Sequence, residues 1–159
     1  MNQQDKAYLL GLLAQTHDAI RLMLEDIDLE LPVYSDSGWR IRDILAHIAT
    51  WDHQAASSLK AYRVGQEYST PGLDESKFNE QSVLEQRDKT GQQIFDEWVQ
   101  ARREFKRAVE EMPRDLFPGD LLYPWGDERG TIAYLVEMMT DHDIEHRDEI
   151  MKTIVIGSS

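Results

Sequence analysis

Met138-Met139-Thr140-Asp141-His142-Asp143-Ile144-Glu145-His146-Arg147-Asp148-Glu149-Ile150 sets two histidines four residues apart in a run without proline or glycine. At about 100° per residue the two imidazoles lie roughly 40° apart around a helix, so they share a face. Leu135, Met138, Met139 and Ile150 fall on that same face, the stripe expected to turn into the core. Two imidazoles one turn apart on such a stripe are either core histidines bonded to neighbours or half of a metal site. In a bundle the other half comes from a facing helix. The search for a further ligand therefore runs through the rest of the chain.

The run His142-Asp143-Ile144-Glu145-His146 also spells H-x-x-E-H, the zinc motif of the inverted zinc peptidases. Such a site needs a third protein ligand, and none is expected in the stretch from Arg147 to Ser159. A peptidase is not expected, and any third ligand comes from upstream.

Composition narrows the partners. The chain has 159 residues, of which 30% are charged and 41% hydrophobic, fitting one helix-rich globular domain over residues 1–159. A net charge of −13 argues against nucleic acid or an anionic membrane as a partner, and a small-molecule substrate is the expectation. With no cysteine there is no disulfide, no thiolate ligand and no cysteine nucleophile. No apolar run approaches the ~18 residues of a membrane span, and no signal-peptide pattern opens the chain, so a cytoplasmic location is expected.

In chain order, Leu10, Leu13, His17, Ile20, Leu24 and Ile27 mark a first amphipathic helix from about residue 5 to 27. His17 on that stripe is either a pocket-lining polar group or a hydrogen-bonded core histidine. A turn through Pro32 and Gly38 leads to a second helix, from Trp39 or Arg40 to Val64, with Ile41, Ile44, Leu45, Ile48, Trp51, Ala55 and Leu59 inward. His47 lies at the edge of this face, whereas His53 lies about 240° further round and is expected in solvent. Asp43, one turn before His47, either orients an imidazole or serves as an acid in the first helical turn.

Residues 65–72 read as a loop, followed by a short polar helix at about 74–86. Thr90 and Gln93 form a capping box that opens a helix to about Met112, with Ile94, Trp98, Ala101, Phe105 and Ala108 inward. The charges around Arg102, Arg103, Lys106 and Arg107 are expected to form its solvated face. Three prolines keep residues 113–130 largely non-helical, and the aromatic Tyr123-Pro124-Trp125 is either a functional loop or a plug on the core. Thr131 caps a last helix, expected over 132–154. Four long amphipathic helices, one short one and no strand pattern predict an all-α bundle.

Gly38-Trp39-Arg40-Ile41-Arg42-Asp43-Ile44-Leu45-Ala46-His47-Ile48-Ala49-Thr50-Trp51, Gly130-Thr131-Ile132-Ala133-Tyr134 and the His142-x-x-x-His146 pair resemble the DinB/YfiT-like superfamily over essentially the whole chain. The resemblance implies an up-down-down-up four-helix bundle, a homodimer, and His47, His142 and His146 as ligands of a divalent ion such as Ni, Zn, Mn or Fe. It also implies chemistry on a small electrophile, by hydrolysis or by transfer of a low-molecular-weight thiol such as bacillithiol or mycothiol. Binding of a metal or toxin in stress, without catalysis, is the alternative. The Tyr123-Pro124-Trp125 loop is also similar to the colibactin self-resistance branch, whose members hydrolyse a cyclopropane. One departure is Arg40, which stands where relatives carry Ser or Thr to cap the second helix.

Within that frame Glu149 lies about 20° from the His142 direction and Glu145 about 60°, making them the expected base or supporting carboxylates. Trp51, Tyr123 and Trp125, with His17, are the expected lining of the substrate pocket.

Overall fold

The computed structural model describes residues 3–70 and 74–157, so Pro71 and Gly72 of the expected loop lie outside the described residues. The helices are α1 (Gln3–Met23), α2 (Ile41–Arg63), α3 (Glu75–Leu84), α4 (Gly91–Glu110) and α5 (Ile132–Gly157). Each long helix follows its apolar period. Leu9, Leu13, Ile20 and Leu24 are buried from the first, and Ile41, Ile44, Leu45, Ile48, Trp51, Ala55 and Leu59 from the second. In α1 the fully buried position is Leu9, not Leu10, and the helix stops four residues early. Asp26, at φ 61°, adopts the left-handed conformation that ends the helix.

Helix directions follow from contacts along their lengths. Lys6 near the start of α1 donates to the Glu110 carbonyl at the end of α4, so these two run antiparallel. Arg42 reaches the Lys89 carbonyl just before α4, and Arg63 pairs with Glu111 just after it, so α2 and α4 run parallel. Ile41, Ile44 and Leu45 at the start of α2 share a core cluster with Ile150 in the second half of α5, and Ala55 and Leu59 further along α2 share one with Ile132 and Leu135 at the start of α5, an antiparallel pair. The result is the up-down-down-up bundle. The parallel α2–α4 pair requires a crossover the length of the bundle, and residues 64–90 supply it, with α3 laid against α2 on the way.

Two connections are shaped around the side of the bundle where α2 faces α5. Between α1 and α2 the chain folds back on itself, with a bridge between Pro32 and Arg40 and the Val33 N–H donating to the Trp39 carbonyl at 2.8 Å. Gly38 makes that reversal at φ 75°, a conformation side chains rarely take. Between α4 and α5, a 3₁₀ turn at Arg114–Leu116 precedes a small hairpin of β1 (Leu121–Leu122) and β2 (Arg129–Gly130), with Leu121 opposite Gly130. The hairpin corrects the expectation of no strand. Two-residue strands are too short to show a period in sequence.

The capping box at Thr90 and Gln93 forms as expected, and Thr131 Oγ1 accepts from the Tyr134 N–H at 3.1 Å at the start of α5. Arg40 replaces the expected cap on α2 with half of one. Its side chain has no acceptor, but Asp43 Oδ2 takes the Arg40 N–H at 2.9 Å and Arg40 Nε at 3.2 Å. Asp43 therefore serves the helix terminus and does not orient an imidazole.

Arg102 corrects the reading of α4. It is 2% exposed, with Nε and Nη2 on the two Asp52 oxygens at 2.9 and 3.1 Å and Nη2 on Asp143 at 2.9 Å. Nη1 donates to the Leu13 carbonyl, and Thr16 Oγ1 donates to Asp143 at 2.9 Å. All four long helices meet on this one guanidinium. Burial acts to lower its pKa, but Asp52 and Asp143 outweigh it and the net shift is upward. Desolvation pushes the Asp52 carboxyl upward despite the arginine beside it. Among the described residues no helix is long and apolar enough to cross a membrane.

Candidate metal centre

His47 on α2 and His142 and His146 on α5 converge through their Nε2 atoms. His47 Nε2 stands 3.2 Å from His142 Nε2, and His146 Nε2 stands 2.9 Å from it. Two imidazoles bound at ~2.1 Å to one ion stand about 3.0 Å apart at a right angle and about 3.4 Å apart at a tetrahedral angle. The observed separations therefore suit a shared ion, and the three rings lie nearly edge to face. Among the described residues this is the group of three or more potential donors that could hold a metal, with all its ligand atoms within 4.8 Å of one another.

The register that aims these rings is set one residue or a few along each helix. Asp143, beside His142, is tied to Arg102 and Thr16, and Asp52, five residues after His47, is tied to the same Arg102. The guanidinium thus fixes the rotation of both helices that carry imidazoles. Trp39 packs on His47 at 5.2 Å between ring centroids, and the Tyr34 hydroxyl lies 2.9 Å from His146 Nδ1. When His146 Nδ1–H donates to Tyr34, Nε2 is left as a lone pair pointing at the other two rings. His47 Nδ1 has no hydrogen-bond partner among the described residues.

Burial keeps these imidazoles neutral. Desolvation drives His47 down to about 2 and His146 to about 3, each helped by neighbouring histidines, and it lowers His142 as well. Neutral imidazole is the form that ligates a metal.

A cavity of about 370 Å³ opens over His47 and His142. Trp51, Trp125, Met138 and Met139 form its apolar wall, and Glu75, Asn79, Asp127 and Glu128 its polar one. Trp51 Nε1 donates to Asn79 at 2.6 Å and Trp125 Nε1 to Glu128 at 2.9 Å, so both indoles are held in place. Met138 corrects its assignment to the core: it is 41% exposed and faces this cavity, one turn before His142.

The other expected site residues distribute differently. Tyr123 is buried, donates to the Thr131 carbonyl at 2.8 Å and stacks behind Trp125 at 5.1 Å, so it supports the wall without lining it. Gly130 leaves room for that phenol, which a Cβ there would strike. His17 lies in the core against Trp98 at 3.8 Å, away from the cavity, with no hydrogen-bond partner for either ring nitrogen among the described residues. It is neither the pocket residue nor the satisfied core histidine expected. Glu145 and Glu149 line a separate recess with Tyr34 and His146, on the outer side of that ring, and Glu149 pairs with Lys152 at 3.6 Å. His53 lies apart from the three converging histidines, half-exposed at the surface of α2. It bridges Glu97 at 2.6 Å and Glu104 at 3.0 Å on α4.

Sequence reading missed Tyr34, Trp39, Glu75 and Asn79. Tyr34 and Trp39 carried a signal, since both flank Gly38 in the turn before the His47 helix. Glu75 and Asn79 sit four apart on α3, but nothing in a polar helix tells which face meets α2.

Bundle and site together define a class: an all-α protein whose second and last long helices bring three imidazoles together beside a cavity. The chain belongs to the family of the mycothiol maleylpyruvate isomerase N-terminal domain, whose profile matches residues 10–138. It carries the DinB/YfiT-like fold. The mycothiol-dependent maleylpyruvate isomerase superposes with a TM-score of 0.74 at 13% identity, over 91% of this chain and 60% of that one. A mutant of the same enzyme gives 0.75 at equal identity and coverage. The chain thus spans 60% of the isomerase's length. YfiT from Bacillus subtilis, described as a probable metal-dependent hydrolase with an unusual four-helix bundle topology, superposes at 0.72 with 15% identity, over 96% of this chain and 87% of that one. No curated protein sequence matches.

Proposed function

We propose that this chain is a metal-dependent enzyme acting on a small electrophilic substrate, with His47, His142 and His146 holding a divalent ion. The observation that carries the proposal is the convergence of three neutral Nε2 atoms, two of them on imidazoles that line one end of a cavity large enough for a small molecule. A bound divalent ion supplies Lewis acidity and lowers the pKa of a nucleophile, water or a low-molecular-weight thiol, towards neutrality. Both nucleophiles accord with the relatives, one described as a probable hydrolase and the other as mycothiol-dependent.

The chain's own residues do the rest. Tyr34 fixes the tautomer and tilt of His146, and Trp39 backs the His47 ring. Trp51 and Trp125, pinned by Asn79 and Glu128, hold an apolar substrate body and displace bulk water from it. The chain has no cysteine and no serine-histidine nucleophile motif, which favours a nucleophile brought from outside the protein.

The test is turnover by metal-free protein beside its nickel-, zinc- and manganese-loaded forms. The substrates are a panel of activated esters and epoxides, with and without bacillithiol. Activity is expected only in a loaded form, and it should fall at least about a hundredfold in His142→Ala. Equal turnover with and without metal would refute the proposal.

A further inference from the structure

The cavity over the three imidazoles has a one-sided charge. Its polar wall carries three carboxylates, Glu75 from α3 and Asp127 and Glu128 from the turn of the hairpin, and no lysine or arginine lines it. All three carboxylates are exposed, whereas His47 is buried and His142 half-buried, so the acids stand on the solvent side and the imidazoles beneath them. Arg129, which follows Glu128 directly, is turned away and paired with Glu67 and Asp120. Three carboxylates against one divalent ion still leave an excess negative charge. An entering anion meets that excess on desolvation, and a cation is attracted by it.

Between rim and imidazoles the wall is made of two indoles and two thioethers, Trp51, Trp125, Met138 and Met139. Indole faces hold flat apolar groups and attract cations, and thioethers adapt to the shape between them. An acidic rim alone would not define a ligand. Here it closes a formed cavity whose other end is the imidazole cluster.

We infer that the substrate of this site is an organic cation: a protonated amine with a flat apolar body that lies between Trp51 and Trp125, its ammonium group held at the rim by Glu75 and Asp127. This rests on the metal-enzyme reading only for the use of the cavity. The charge preference follows from the lining itself. Glu128 is the less available partner, because it already accepts from Trp125.

The experiment titrates the full chain calorimetrically with tryptamine, N-acetyltryptamine and indole-3-propionate, which share a ring and differ in charge. Zinc is titrated separately into the same preparations. Tryptamine should bind about tenfold or more tighter than indole-3-propionate in low salt, with the neutral compound between, and the gap should narrow in high salt. Glu75→Gln combined with Asp127→Asn should close the gap to within about threefold while zinc binding is retained. Equal or tighter binding of indole-3-propionate would overturn the inference, and so would the absence of binding by all three. Loss of zinc binding alone, with the preference for tryptamine intact, would remove the metal reading and leave the inference standing.

Discussion

His17 is packed flat on Trp98 with neither ring nitrogen bonded among the described residues, and burial holds its pKa down at about 3. Arg102, Arg21 and Lys106 add to the depression by repulsion. In the unfolded chain the same imidazole titrates near its ordinary value of ~6.5, so between that pH and about 3 the unfolded state binds a proton that the folded state refuses. Folding stability is complete above pH 6.5 and falls as the pH drops through this window, at about 1.4 kcal/mol per unit for this one group. His17→Phe keeps the stacking and removes the proton site. The difference in urea stability between the variant and the parent should therefore shift by about 2 kcal/mol in the variant's favour from pH 7 to pH 5. A difference independent of pH would show that His17 is hydrated and free to titrate. The histidine pattern alone could not separate His17 from His47, because both sit on an apolar stripe. What separates them is what faces each stripe: Trp98 for one, two more imidazoles for the other.

At the scale of elements, periodicity placed the four long helices and Thr90 with Gln93 placed a helix start, because those signals are local. Arg102 was misread for the opposite reason. It stands one turn after Trp98 and three residues before Phe105, squarely on the buried stripe, but its charge suggested solvent. Only the fold supplies Asp52 and Asp143 to receive it. Arg102→Met keeps the bulk and removes the charge, leaving two carboxylates buried among four helices. It should cost about 3–5 kcal/mol at pH 7, read from chemical denaturation, because a buried charge without its partner is strongly unfavourable. The loss should shrink at lower pH as a carboxyl takes up a proton. A cost within about 0.5 kcal/mol would mean that the network is solvated and does not set the register of α2 and α5. The hairpin and α3 were beyond sequence reading in a different way. The range of α3 was nearly right and the hairpin was not expected at all, and which side of the bundle each covers depends on the crossover between the parallel helices α2 and α4.

For the whole molecule, the up-down-down-up topology and the family followed from the sequence once the Trp39-to-Trp51 run was set beside the late histidine pair. Of the expected site, His47, His142 and His146 converge, and Trp51 and Trp125 line the cavity beside them. Tyr123, His17, Glu145 and Glu149 lie elsewhere, because angles around one helix axis say nothing of what the opposite element presents. Glu75, Asp127 and Glu128 line the cavity, and no lysine or arginine stands among its lining residues. The proposed reaction depends on whether the imidazoles bind an ion. The direct measurement is the metal content, by mass spectrometry, of untagged protein and of His47→Ala, with circular dichroism on both. About one divalent ion per chain is expected in the parent and almost none in the variant at unchanged helicity, since two ligands chelate far more weakly than three. Stoichiometric metal retained by His47→Ala, or none in the parent after loading, would contradict the account.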